Sequence, residues 1–422
     1  VGPLTPEARA RLLGRRAAIE GAVRRTVEAI LDQVRREGDA ALRALTRKFD
    51  GPDLERLEVT PEEWARAERS VPQNVQAAVR SMYDSVVRYH KQDLARPFEF
   101  QPLKGITLGK LVVPFERAGL YVPGGLAVYP SSVIMAAAPA QVAGVRQIVL
   151  CTPPTREGAV PDAVLFAARV SGVSRVFKVG GAQAIFAMAY GTQTVPRCEV
   201  LAGPGNAYVT AAKMLVREDV AIDFLAGPTE LLVLSDGTTS PRFIAAELAG
   251  QAEHSPDACC VLVTTSRPQA EAVARELDEQ VRSLERGEIV RKALAGHGAL
   301  LVAKSLDEAV AFANAFGAEH LTISTRHPVE VLKKIRSAGS VFLGEYSPVA
   351  VGDYGVGPNA ILPTYGEACR RGGLSANNFL KTVSYQMLSP EGLGQVAPTA
   401  MTLARVEGLT AHLRSIEVRL GP

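Results

Sequence analysis

From about residue 110 to about residue 345 the chain alternates short, β-branched apolar runs with Ala-rich helical stretches, and Gly/Pro turns separate the pieces. Strands that alternate with helices imply βαβ units, in which parallel sheets are covered on both faces. One series comprises Ile148–Cys151, Val176–Val179, Glu199–Leu201 and Leu231–Leu234. A second comprises Cys260–Thr264, Leu300–Val302, Leu321–Ser324 and Val341–Leu343, with helical segments at 268–285 and 306–316 between them. The expected fold class is therefore α/β, with two Rossmann-like units on parallel sheets, joined near 235–245.

The flanks read differently. The segments near 6–37 and 60–92 carry apolar residues at three-to-four spacing between Arg and Glu, the pattern of amphipathic helices. Thr60-Pro61-Glu62-Glu63 is a capping box with proline at the first helical position. The last sixty residues read as mostly helical and suit contact with a partner. The expected division is a helical N-terminal segment at 1–105, Rossmann-like units at 106–238 and 239–362, and a C-terminal extension at 363–422.

Composition limits the partners. A length of 422 residues, 47% of them hydrophobic and 22% charged, allows more than one large core. A net charge of +3, from 47 basic and 44 acidic residues with no basic block, argues against nucleic acid. Five cysteines without CxxC spacing suit a reducing cytoplasm. The longest apolar stretch, around 133–145, is interrupted by Pro139, Gln141 and Gly144 and is too short to span a bilayer. The N-terminus lacks the apolar core of a signal peptide. The expectation is a soluble, cytoplasmic protein.

Four glycine turns flank the strands: Gly119–Gly125, Val179-Gly180-Gly181-Ala182-Gln183, Gly203-Pro204-Gly205-Asn206 and Ala226-Gly227-Pro228-Thr229. None is the G-x-G-x-x-G dinucleotide fingerprint. Each alone is a tight turn that needs glycine. Together, at the carboxyl ends of parallel strands, they suit a nucleotide or phosphate ligand.

Of six histidines, His90, His297 and His327 lie in charged or polar surroundings and read as solvated surface. Gln251 and His254 stand at i, i+3 on one helix face, a donor pair that suits zinc but, taken alone, fits a cap or core role better. Asp353 falls in a loop after the strand at 341–343, placed to complete a site or to make a turn. Glu319 and His320 adjoin at the start of a strand and supply two proton-transfer groups that work near neutral pH. Glu407 and His412 lie near the C-terminus.

In order along the chain, GLYVPGG (119–125), KVGGAQAI (178–185), AGPGNAYVT (202–210), AGPTELLV (226–233), GQAEHSPD (250–257), AEHL (318–321), AGSVFLGEYSP (338–348), GDYGVGPNAILPT (352–364) and EGLTAH (407–412) resemble the motifs of the histidinol dehydrogenase family. The resemblance runs through nearly the whole chain. It implies a homodimer of two Rossmann-like units per subunit, the first on the NAD side and the second carrying zinc and the catalytic residues. It also implies oxidation of L-histidinol to L-histidine with two NAD⁺ through histidinaldehyde, the last steps of histidine biosynthesis. By motif position, Gln251, His254, Asp353 and His412 match the family's zinc ligands, His412 coming from the neighbouring subunit. Tyr121, Gln183 and Asn206 match NAD contacts. Thr229, Gln251, His254, His320, Asp353, Glu407 and His412 match the substrate-binding set, and Glu319 and His320 the catalytic pair. Zinc would act as a template, His320 as base toward the hydroxyl, and Glu319 toward the water that hydrates the aldehyde.

Two departures widen the expectation. Ala360 stands where family members usually have His, and Arg370-Arg371 follow the LPT motif. A diverged relative that oxidises an anionic alcohol such as a sulfonated diol is the alternative. A zinc hydrolase using Glu319 or Glu253, and a non-catalytic binding protein, are the readings from other classes.

Overall fold

The computed structural model describes residues 2–3, 5–15, 21–124 and 128–421; Gly125, the last residue of the first glycine turn, lies outside them. The chain divides into two compact units. The first comprises Val1–Asp93 and Glu116–Phe379, the second Leu94–Phe115 and Leu380–Pro422.

The first unit holds two sheets with one strand order. In the first sheet, β1 (Arg117–Tyr121), β2 (Gln147–Thr152), β3 (Arg175–Lys178), β4 (Val200–Ala202) and β5 (Ala221–Ile222) run parallel in the order 3-2-1-4-5. In the second, β6 (Glu230–Ser235), β7 (Cys259–Thr264), β8 (Ala299–Val302), β9 (Ala318–Ser324) and β10 (Ala338–Leu343) repeat that order, with β6 at the centre. The short N-terminal strand Gly2–Pro3 adds an edge beside β8. Each order reverses at its first strand, and at that switch point the crevice for a ligand opens at the strands' carboxyl ends. Two Rossmann-like units are thus present.

Strand β6 does not belong where the sequence order suggests. Leu231–Leu234 closes the first series in sequence, yet it pairs with β7 and β9 and opens the second sheet. All six residues of β6 are buried, as a central strand requires. Leu232 and Leu234 join Val261, Val263, Leu321 and Ile323 on one face, while Leu231 and Val233 join Cys260 and Leu262 on the other. This is the period of two that directs neighbouring side chains to opposite faces. An apolar run shows that a strand is central but not which sheet it enters. The junction between the sheets therefore lies at 223–229.

On one face of the first sheet, Val149, Cys151, Phe177 and Leu201 pack against helices Gly21–Glu37, Gly181–Tyr190 and Ala207–Val216. The capping box at Thr60 forms in both directions, Glu63 N–H to Thr60 Oγ1 and Thr60 N–H to Glu63 Oε2. The stretch at 133–145 forms the helix Pro130–Ala143, with Pro139 inside it. No described helix is long and apolar enough to cross a membrane. His90 differs from the solvated residue expected. It is fully buried on the inner face of helix Gln73–Asp93, Nε2 lies 3.2 Å from Asn359 Nδ2, and burial pushes its pKa down to about 4. Its charged sequence neighbours describe the helix's outer face only.

The second unit is an antiparallel sheet in which Ile106–Pro114 lies between Phe98–Leu103 and Leu380–Leu388. Two helices follow, Pro390–Val406 and Thr410–Leu420. Residues near position 100 and the C-terminal tail, which the sequence reading sets at opposite ends of the chain, pack as one unit.

A buried ion pair pins the turn after β4. Lys213 Nζ donates to Asp223 Oδ1 and to Gly203 O, each at 2.6 Å, and Gly203 N–H donates to Asp223 Oδ2 at 2.8 Å. Gly203 has φ +125°, and a Cβ there would collide with the Tyr121 carbonyl oxygen. Only glycine passes so close beside β1, and the pair satisfies both of its backbone groups. Lys213→Met leaves the Asp223 carboxylate buried without its cation, a loss of about 3–5 kcal/mol. The expected outcome is a clearly lower denaturant midpoint; an unchanged midpoint would show the pair to be dispensable.

Candidate active site

The site begins with backbone. Because β9 pairs in parallel with β6, residue 230 lies beside residues 319 and 320. Glu230 N–H donates to Glu319 Oε2 at 2.8 Å, and Glu230 C=O lies 3.2 Å from His320 Nδ1. A carbonyl only accepts, so this contact favours the ring proton on Nδ1 and the lone pair on Nε2; the Gln251 amide nitrogen, a donor, lies farther from the same Nδ1, at 3.4 Å. That Nε2 is buried without a partner among the described residues. One peptide unit on each side of residue 230 thus fixes both members of the pair.

Glu319 and His320 are the second and third residues of β9, both buried. Adjacent strand residues diverge, and Glu319 returns to the site by folding back onto Thr229 and Glu230; its Oε2 lies 3.5 Å from His320 Nδ1. Burial pulls the His320 pKa down, but Glu319, Asp353 and the Glu230 carbonyl outweigh it and leave it raised. Glu319 Oε1 makes no hydrogen bond with another described residue and remains open to chemistry.

Thr229 passes this order on to Gln251. Its hydroxyl donates to Glu319 Oε2 at 2.6 Å, so it accepts from Gln251 Nε2, with which it is in contact. The amide oxygen of Gln251 is then the end left free. Gln251 lies in the last turn of the helix Pro241–Ala252 and is buried, while His254 lies just beyond that helix and is exposed. Asp353 sits in a short helix, Val349–Tyr354, and not in the expected loop. The Glu247 carboxylate, one turn before Gln251, caps that helix by accepting from Val349 N–H at 2.9 Å. Asp353 makes no hydrogen bond with another described residue, and burial raises its pKa against the pull of His320 and His254.

Thr229, Gln251, His254, Glu319, His320 and Asp353 line one cleft of about 260 Å³. Pro123, Pro204 and Gly205, from the turns after β1 and β4, form another part of its wall, and Ala360 lines it too. The cleft lies where strands of both sheets end.

The three expected cofactor residues gather at the first sheet. Tyr121 is the last residue of β1; its hydroxyl accepts from Gly181 N–H at 3.1 Å, and burial pushes its pKa up to about 12. Gln183 is buried in the helix that Gly181 begins. Asn206 caps helix Ala207–Val216, its Oδ1 accepting from Tyr208 and Val209 N–H, which leaves the amide nitrogen for a ligand. Glu407 and His412 belong to the second unit and are exposed there. The cleft residues all come from the first unit.

Two supports escaped the sequence reading. Arg15 donates Nε to Leu12 O at 2.6 Å and Nη2 to Phe316 O at 2.8 Å, and its Nη1 pairs with the buried Glu230 carboxylate. This anchors the side chain of the residue whose backbone holds Glu319 and His320. Glu247 is the other, and an acid four residues before Gln251 was its only signal. Arg370 and Arg371 do not stand free: both pair with Glu367, and Arg371 also donates to Asp223 O.

The histidinol dehydrogenase family model matches residues 13–420. The histidinol dehydrogenase of Methanothermobacter thermautotrophicus is 46% identical over 391 residues, which span 93% of this chain and 92% of the relative. That of Methanocaldococcus jannaschii is 44% identical over 418 residues, 99% of this chain and 97% of the relative. The crystal structure of histidinol dehydrogenase from Elizabethkingia anophelis superposes with a TM-score of 0.95 at 33% identity, covering all of this chain and 97% of that one. With Glu319 and His320 buried in a cleft where two Rossmann-like sheets end, this chain belongs to the histidinol dehydrogenase family, oxidoreductases of histidine biosynthesis.

Proposed function

We propose that the chain oxidises L-histidinol to L-histidine in two successive steps with two NAD⁺, at a zinc site completed by His412 from a second copy of the chain. The observation that carries this reading is the convergence in one cleft of a fixed acid–base pair and three donors without protein partners. Those donors are the Gln251 amide oxygen, the His254 ring and the Asp353 carboxylate, an N/O set that suits zinc. Among the described residues no group of three or more His, Cys, Asp or Glu stands close enough to hold a metal. Gln251, His254 and Asp353 give three donors, one fewer than a tetrahedral shell, which is the reason for a fourth ligand from elsewhere. When bound, zinc supplies a positive centre that orients the substrate's polar end, and NAD⁺ accepts the hydride.

The protein's own groups move the protons. His320 Nε2 takes the hydroxyl proton of the alcohol, and its protonated form is favoured by Glu319 and by the Glu230 carbonyl at Nδ1. Glu319, held through Oε2, uses Oε1 to take a proton from the water that adds to the aldehyde. Burial of both groups keeps the aldehyde from bulk water until that second step. Tyr121, Gln183 and Asn206 orient the nucleotide; Thr229 and Glu407 orient the substrate.

Ala360 removes one polar wall from the cleft, but neither Arg370 nor Arg371 lines it, so these residues bring no cation to an anionic alcohol there. The zinc-loaded protein is expected to form two NADH for each L-histidinol consumed, followed by NADH absorbance and product analysis. One NADH with accumulated aldehyde would contradict the four-electron reading; turnover of only a sulfonated diol would contradict the substrate. His412→Asn is expected to lower bound zinc, measured by metal analysis, together with activity. Full zinc occupancy with normal turnover would remove His412 from the site.

A further inference from the structure

A Rossmann-like unit that prefers NAD⁺ ordinarily places an acidic residue at the end of its second strand, where the carboxylate accepts from the ribose 2′-hydroxyl and repels a 2′-phosphate. This chain has none there. Strand β2 ends at Thr152 and runs into Pro153-Pro154. The corner is supplied with a carboxylate from another direction. Asp50, at the C-terminal end of helix Asp39–Phe49, reaches the turn after β3. A Cβ built on Gly180 would stand 2.7 Å from Pro153 Cβ and 3.3 Å from Asp50 Oδ2. The same carboxylate lies within electrostatic reach of Tyr121, whose hydroxyl is bound at Gly181. Asp50 therefore meets the carboxyl ends of β1, β2 and β3 together, beside the turn that carries Gln183.

What marks Asp50 is the want of a partner. Its Oδ2 is buried and accepts no hydrogen bond among the described residues. Burial alone pushes its pKa up to about 6, with no cation opposing the shift. Lys178, two residues before Gly180, pairs with Glu63, and Arg47, three residues before Asp50, pairs with Asp53. A half-buried carboxylate without donors is costly, and natural sites that keep one commonly use it for a ligand. Asp39, on the same helix, shows the contrast. Its carboxylate accepts from Thr192 Oγ1 and Thr194 N–H and ties the helix down.

We propose that Asp50 takes the place of the missing strand-end acid, accepting from the adenosine ribose of the dinucleotide and setting the preference for NAD⁺ over NADP⁺. The inference rests on the NAD-linked reading above. A ribose hydroxyl gives the carboxylate the donor it lacks, whereas a 2′-phosphate brings a second anion beside it. A charge-assisted hydrogen bond of this kind is worth about tenfold or more in binding.

The test compares kcat/KM for NAD⁺ and NADP⁺ in the wild-type protein, Asp50→Asn and Asp50→Ala, with zinc content and thermal midpoint measured in parallel. The wild type is expected to prefer NAD⁺ strongly. Asp50→Ala should raise KM for NAD⁺ about tenfold and shrink the NAD⁺/NADP⁺ ratio by at least that factor. Asp50→Asn keeps the shape and can still accept from ribose. It should shrink the ratio mainly by improving NADP⁺, and it carries the test if the alanine variant does not fold. A ratio unchanged in the folded variants, or a wild type indifferent between the two nucleotides, overturns the role of Asp50. A wild type that reduces neither nucleotide overturns the NAD-linked reading itself.

Discussion

The parallel pairing of β6 with β9 is the constraint on which the rest of the site depends. It sets the backbone of residue 230 beside Glu319 and His320, so that one N–H holds the carboxylate and one carbonyl fixes the imidazole. Backbone in the centre of a buried sheet moves little, since both faces are packed and every ladder bond resists displacement. The proton-transfer groups therefore inherit the rigidity of the second sheet's core. Arg15 extends the same logic outward by anchoring the Glu230 side chain to the N-terminal helix and to Phe316.

From this anchor the orientation of each neighbour follows by hydrogen-bond arithmetic. Glu319 accepts, so Thr229 donates to it; Thr229 has spent its proton, so it accepts from Gln251; Gln251 turns its amide nitrogen toward Thr229 and His320, so its oxygen faces away from them. Each step rests on the donor and acceptor capacity of a named group. The result couples the acid–base pair to the proposed metal set without a shared residue. Asp353 enters the cleft by a separate route, through the helix that Glu247 caps.

Much of this was legible in the sequence. The apolar runs locate the central strands because burial on both faces demands unbroken hydrophobicity, and a glycine turn can mark where two chain segments come close, as the approach of Gly203 to Tyr121 illustrates. Gln251 and His254 do line one cleft, but not by the helical spacing expected, since the helix stops at Ala252 and His254 lies beyond it. Strand order was not legible, since the run at 231–234 looks the same whichever sheet it joins, and its placement depends on contacts with residues near 260 and 320. His90 was misjudged because its neighbours in sequence lie on the opposite face of its helix. Asp50 gave no signal at all: it reaches the end of β3 across more than a hundred residues of chain, and only the fold sets it beside Gly180.

The account turns on which nitrogen of His320 carries the proton. Histidine-selective labelling with heavy nitrogen, with the His320 signals assigned by their loss in His320→Gln, reads the tautomer of the neutral ring directly. The geometry predicts a protonated Nδ1, donating to the Glu230 carbonyl, and a bare Nε2 available as the base. A protonated Nε2 with a bare Nδ1 would contradict it, because the backbone of residue 230 would then not be what orients the catalytic pair.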